Sequence, residues 1–385
     1  MASRPDTGCM PAPNQRMHFI CTAKVRFFGS EPGNLLSLRS FFRSGFFGLE
    51  DGRMTSIWFN HWFSAAYNIM SMIKEDNPDF RIIGTNENRL SVLSAVCDEW
   101  YQEPVLKGDA YADFCLDFCR EHGVTVFMPR RELLAVSRRK ADFEACGVKV
   151  MADDYEILEI LNYKDRAYRE LALRGVSTIP EYRIVTTPAG FAEAYRELSG
   201  KYREVCIKFV HDEGGKSYRL IDNSRKGYTA LFRKQNTRMT YDAIYEALSE
   251  REEFSPLMVM PNLSGDEVSV DCLNTPRGLI MLPRIKDATR IERLSFREDI
   301  LEKTREVYRA VKLECPCNIQ FKYLDGVPYF LEVNTRMSGG VQMACLAGKV
   351  NIPSIAVNKL LGIDREWEIC RDEQYVTHVE LPVLL

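Results

Sequence analysis

The sequence predicts a mixed α/β and α+β fold, and three observations predict it. Residues 54–151 alternate short β-rich runs with longer helical ones, the order expected of a unit wound around a parallel sheet. Residues 205–221 and 318–333 each show two β-rich runs joined at a glycine turn, the mark of antiparallel hairpins. Composition supplies the third: 385 residues, 45% hydrophobic and 27% charged, make a globular chain with room for two or three subdomains.

Composition also excludes function classes. A net charge of −3 gives no electrostatic reason for a nucleic-acid or anionic-membrane partner. No apolar run approaches the roughly eighteen residues of a membrane helix. The twelve cysteines are scattered through apolar segments with no repeated Cys-x-x-Cys spacing, which predicts buried thiols in a reducing, cytoplasmic compartment. Cys315 and Cys317 form the one close pair and read as packing ahead of a strand.

Taken in order, residues 1–53 differ from the rest: they carry a small positive excess and no sustained period. A targeting segment, a disordered extension and an upstream stretch read from an early start codon all fit them, and Met54 stands just before the first strand. Strands are expected over 57–60, 80–84, 124–129 and 148–151, and helices over 65–74, 111–122 and 131–146. No Gly-x-Gly-x-x-Gly follows the first strand, so a dinucleotide site there is disfavoured.

A helix follows from Lys164 with Tyr168, Leu171 and Ala172 on one face, stopping at Gly175 ahead of Pro180. Lys164 in its first turn runs against the helix dipole, and by itself reads as a solvated surface residue. In the 205–221 hairpin, Lys208 lies between Ile207 and Phe209, and Gly214-Gly215 at the tip can bring bare backbone N–H groups near phosphate. An edge strand with a snorkelling lysine reads the same. An apolar strand runs to Met260, and after a turn Glu267, Ser269 and Asp271 share one strand face. Arg284 and Lys286 share a face of the next strand, and a helix is expected over 298–311.

The richest stretch is 318–340. Asp325-Gly326 should close a tight hairpin; Glu332 and Asn334 then leave the same face, and Gln320 on the partner strand can join them. Three oxygen-bearing side chains with Arg336 nearby suit hard cations bridging phosphates, whereas a solvated edge hairpin is the plain alternative. The apolar Phe330, Leu331 and Val333 around Glu332 predict a central strand, where a carboxylate needs a partner. Beyond it, Ser338-Gly339-Gly340 opens a helix whose free N–H groups could face an anion.

These landmarks, in this order over about residues 55–365, resemble the ATP-grasp superfamily, most closely the carbamoyl-phosphate synthase large-subunit branch with its Gln…Glu-x-Asn-x-Arg triplet. The resemblance implies a pre-ATP-grasp Rossmann-like domain over 54–162, a lid subdomain over 163–255 and a metal and substrate subdomain over 256–385, with 1–53 as an extension. It implies Mg2+, or Mn2+, held by Gln320, Glu332 and Asn334. Arg284 and Arg336 would face the transferring phosphoryl group, Lys164 and Lys208 the ATP phosphates, and Gly214 and Gly215 the lid tip. The hinge at Met260 would hold adenine; it departs from the pattern in lacking acids and in Pro261, which leaves Glu267 for the ribose.

The expected activity is an ATP-dependent ligase that activates a carboxylate as an acyl phosphate and joins it to an amine. Carboxyphosphate formation, as in synthases and carboxylases, is the second reading and a non-catalytic ATP-binding regulator the third. Small-molecule substrates and a homodimer are the expected partners.

Overall fold

Apolar residues on both faces of β1 (Ser56–Asn60) divide between two cores, because successive side chains of a strand leave opposite faces. In this computed structural model, which describes residues 54–211, 215–224, 237–286, 290–380 and 382–385, Ile57 and Phe59 enter one core and Trp58 the other. The readings made for residues 1–53 and for Gly214 lie outside the described residues. Next come α1 (Ala66–Asp76), β2 (Arg81–Asn86), β3 (Glu99–Gln102), α2 (Gly108–Glu121) and β4 (Val126–Met128). Then follow α3 (Leu133–Arg138), α4 (Lys140–Ala145) and β5 (Lys149–Val150).

The strands form a parallel sheet in the order β3-β2-β1-β4-β5, with α1 packed into one of the two cores and α2 into the other. The single helix expected over 131–146 is two helices. Arg139 leaves helical geometry at the joint (φ −100°, ψ 14°) and is ion-paired to Asp113 of α2 and to Asp142. Strand β3 is only four residues long, its two aromatics Trp100 and Tyr101 half-buried against the two cores, too short a run to show an alternation in the sequence.

The second sheet is built from β6 (Arg183–Val185), β7 (Val205–Phe209), β8 (Arg219–Ile221), β9 (Arg238–Met239) and β10 (Leu257–Pro261), in the order β6-β10-β7-β8-β9. Before it in the chain come α5 (Tyr155–Asn162) and α6 (Lys164–Leu173), and α7 (Pro188–Ser199) and α8 (Tyr241–Ser249) cover one of its faces. Period two then sets the layers: Val205 and Ile207 pack under α7 and α8, whereas Cys206 and Lys208 face the other way. On α6 the buried positions are Ala167, Tyr168 and Leu171; Ala172, expected inside, is exposed.

The third sheet is antiparallel: β11 (Glu267–Thr275), β12 (Gly278–Lys286), β13 (Glu292–Leu294), β14 (Cys317–Leu324), β15 (Val327–Asn334) and β16 (Gln374–Val376), ordered β15-β14-β11-β12-β13-β16. The β14–β15 hairpin turns as expected, with positive φ at both Asp325 (50°) and Gly326 (80°), the geometry that matches strand twist. Strand β15 is an edge and not the central strand expected. Its apolar residues are covered instead by α6, through Tyr168 on Phe330, and its rim is capped where the Phe330 N–H donates to Thr178 O. Helix α9 (Glu298–Val311) buries Ile300, Leu301, Thr304, Val307, Tyr308 and Val311, one stripe of an amphipathic helix. Helices α10 (Val341–Gly348) and α11 (Ile352–Leu360) share a core with α1 and with Leu273, Ile280 and Leu282 of the third sheet.

Candidate active site

Two cavities meet at a common wall formed by Lys164 and Glu332. The first, about 420 Å³, lies between the second and third sheets and is lined by Lys208, Gly215, Met260, Pro261, Glu267, Lys286, Gln320 and Lys322 as well. The second, about 290 Å³, is bounded by Arg130, Glu132, Leu133, Leu134, Leu158, Asn162, Asn334 and Arg336.

Four ammonium groups line the first cavity. Lys208 is 7% exposed; its Nζ donates to the Tyr168 hydroxyl at 3.2 Å and sits 5.4 Å from that ring's centre. Burial pushes its pKa below the ordinary lysine value, opposed in part by Cys206 and Glu332. The Tyr168 hydroxyl in turn donates to Leu331 O at 3.0 Å, so it couples the lysine of β7 to the strand carrying Glu332. Leu331 is the extra residue where the β14–β15 register shifts between Gln320 and Phe321. Glu267 accepts from Lys286 at 2.8 Å, with Lys322 Nζ at 3.8 Å. Burial pushes the Glu267 carboxyl up, but the two ammonium groups outweigh it and hold the carboxyl below its ordinary value. Cys206 also lines the cavity, and burial pushes its thiol up to about 12, which leaves no thiolate nucleophile at neutral pH.

The expected cation ligands are brought together by strand register. Gln320 pairs with Glu332 and Asn318 with Asn334 across the hairpin, and Asn334 Nδ2 donates to Glu332 Oε1 at 3.3 Å. Among the described residues no group of three His, Cys, Asp or Glu side chains is placed to hold a metal; this set is one carboxylate and two amides. An all-oxygen set of that kind fits a hard cation that completes its shell with phosphate and water. Arg336 lines the second cavity with its guanidinium 5.2 Å from the Phe63 ring centre.

Arg284 does not face either cavity. It is 1% exposed, its Nε and Nη2 donate to Asp271 Oδ2 at 3.0 and 2.9 Å, and it is ion-paired to Glu292. Two carboxylates neutralise it there, so its charge is not directed at a phosphoryl group. Lys286, two residues along the same strand face, is the cation that reaches the cavity. The start of α10 is also engaged: Gly340 N–H donates to Ser338 Oγ at 3.2 Å and Val341 N–H to Ser338 O at 3.3 Å. The sequence reading missed Tyr168, which it took as a packing residue, and Lys322, although Lys322 is in phase with Gln320 on β14.

A parallel five-stranded unit followed by a mixed sheet and an antiparallel sheet that clamp a lysine-lined cavity is the arrangement that decides the fold. The chain has the ATP-grasp fold. A family model described as ATP-grasp in the biosynthetic pathway with Ter operon matches residues 253–381. The carbamoyl phosphate synthase large chain of Pseudothermotoga lettingae is 20% identical over 293 residues, covering 75% of this chain and 26% of that protein. The chain thus spans about a quarter of the length of that relative. The biotin carboxylase domain dimer of 2-oxoglutarate carboxylase from Hydrogenobacter thermophilus, solved with MgADP, ADP and bicarbonate, superposes with a TM-score of 0.59 at 17% identity, over 82% of this chain and 71% of that one. The N5-carboxyaminoimidazole synthetase of Staphylococcus aureus complexed with ADP gives 0.62 at 9% identity, over 84% and 82%. No helix among the described residues is long and apolar enough to cross a membrane.

Proposed function

We propose that this protein is a Mg2+-dependent, ATP-consuming ligase that activates a carboxylate as an acyl phosphate and transfers the acyl group to an amine. The observation that carries the reading is the shared wall: Lys164 and Glu332 border both a cavity lined by lysines and one containing Asn334 and Arg336. ATP occupies the first cavity, its base against Met260 and Pro261 and its phosphates against Lys164 and Lys208, with Gly215 in the lid. Gln320, Glu332 and Asn334 hold Mg2+, which when bound offsets charge on the β and γ phosphates. Lys208, dry and polarised by Tyr168, acts with more force on an anion than a hydrated lysine would. Glu267 keeps Lys286 turned into the cavity.

A substrate carboxylate oxygen in the second cavity, beside Arg336, attacks the γ phosphorus as the bond to the β-phosphate oxygen breaks and ADP leaves. The amine nitrogen then adds to the acyl carbon, phosphate departs with the C–O electron pair, and the nitrogen loses its proton. A homodimer is part of this reading, in line with the dimeric carboxylase domain.

Carboxyphosphate formation from bicarbonate is the second reading, favoured by the bicarbonate in the Hydrogenobacter structure. One screen separates them: ADP release measured with Mg2+ over panels of carboxylates and amines, and with bicarbonate alone. ADP release that needs both an organic acid and an amine supports the ligase; release with bicarbonate alone supports the second reading. ADP binding with no turnover under any pairing would leave a regulator.

A further inference from the structure

We infer that Asn318, itself fixed by Asp271 and Arg284, is a positioning residue that orients the Gln320 amide and turns its carbonyl oxygen towards the bound cation. The inference rests on the reading of Gln320, Glu332 and Asn334 as cation ligands.

Hydrogen-bond chemistry fixes which atoms of this chain donate and which accept. Arg284 has donors only, and two of its N–H groups point at Asp271 Oδ2. The other carboxylate oxygen, Oδ1, lies 2.9 Å from an amide atom of Asn318; a carboxylate accepts, so that atom is the nitrogen. The Asn318 oxygen therefore faces the other way, towards Ser269 Oγ at 3.0 Å and the Gln320 amide at 3.0 Å. Against an oxygen the Gln320 atom must be its NH2, which leaves Oε1 as the oxygen directed away from Asn318, on the residue that pairs with Glu332 across the hairpin. The acceptor polarity of the Asp271 carboxylate, which Arg284 holds in place, thus propagates through Asn318 to a residue at the cavity.

Burial makes this ordering firm. Arg284, Asp271, Ser269 and Asn318 are 0–2% exposed, so no water can satisfy a reversed amide. The strands place the groups in register: Ser269 pairs with both Arg284 and Gln320, and Asp271 with Asn318. Arg284 is held from behind as well, where its Nη2 donates to Ser338 Oγ at 3.1 Å and a Cβ on Gly340 would come within 2.5 Å of its Nη1. The need for such a device is chemical. Glu332 presents two equivalent oxygens, but Gln320 presents one oxygen and one NH2, and the wrong rotamer would aim a donor at the cation.

The test uses Asn318→Leu, which matches the shape and removes both the donor and the acceptor, in the wild-type and Gln320→Glu backgrounds. Calorimetry measures ADP binding with Mn2+ and with EDTA, and electron paramagnetic resonance reads the bound Mn2+ directly. In the Gln320 background the variant should weaken MnADP binding roughly 10- to 100-fold, as loss of a supporting partner does, with metal-free ADP affinity little changed. In the Gln320→Glu background, where either oxygen serves, the same substitution should cost less than about three-fold. Equal losses in both backgrounds, or none in the first, would overturn the positioning role. Asn318→Ser, whose shorter hydroxyl still meets Asp271 but cannot reach Gln320, replaces the Leu variant if that fails to fold, with the same expectations. Mn2+ binding unaffected by Glu332→Gln would instead remove the ligand assignment itself, a separate result.

Discussion

Replacing Lys208 by methionine should stabilise the ligand-free protein while weakening nucleotide binding. An ion removed from water carries an effective penalty of several kcal/mol. The Tyr168 hydroxyl and ring return about 1–3 kcal/mol of it. Methionine fills the same unbranched volume without the charge, so the balance favours the variant by about 1–3 kcal/mol at neutral pH. The sign of the pH dependence is set by the lowered pKa of Lys208. Between that depressed value and the ordinary 10.5, the unfolded chain binds the proton that the folded chain releases, so wild-type stability rises with pH. The advantage of Lys208→Met is therefore full below the folded-state pKa and closes as pH rises towards 10.5. Urea unfolding at pH 7 and pH 10, on both proteins without nucleotide, reads this directly. ADP affinity should fall about ten-fold or more, the loss of one charge-assisted bond to phosphate. A methionine variant less stable than wild type at pH 7, or a gap unchanged at pH 10, would refute the picture of a lysine buried against its own stability.

Three further outcomes are expected. Glu332→Gln should abolish Mg2+-dependent ATP turnover yet change unfolding free energy by no more than about 0.5 kcal/mol, since the residue is only half-buried; turnover equal to wild type at saturating Mg2+ would sink the ligand role. Gly340→Ala drives a Cβ into the guanidinium of Arg284, 2.9 Å from its Cζ, and overpacking there should cost about 1–3 kcal/mol by denaturant unfolding. At Gly215, φ is +65° and there is open space where a Cβ would stand, so a side chain there is strained by the backbone alone; if Gly215 is the lid of the proposed site, Gly215→Val should leave ADP affinity within about three-fold but slow phosphate release strongly, because a lid matters most when charge moves onto the transferring group.

What the sequence by itself determined is the part of this protein governed by short-range geometry. Asp325-Gly326 sets a turn whose two positive φ angles are a local preference, and period two puts Glu332 and Asn334 on one strand face; the turn's own register would set Gln320 opposite Leu331, and only the bulge at Leu331, which no turn residue signals, brings Gln320 opposite Glu332. The 298–311 helix carries its stripe at 3.6 residues per turn, so it was legible without any partner. The tertiary structure decided which of two in-phase cations on β12 reaches the cavity. Arg284 stands opposite Ser269, where Asp271 of β11 and Glu292 of β13 enclose it, whereas Lys286 stands opposite Glu267 at the cavity, and only the packing of β12 between its two neighbours distinguishes them. It decided likewise that the apolar residues flanking Glu332 mark an edge strand roofed by α6, and that a tyrosine on the packed face of that helix spends its hydroxyl on a lysine forty residues away. Both depend on what one segment finds when it packs against another, and burial and electrostatic partnership act through space, where sequence spacing carries no information.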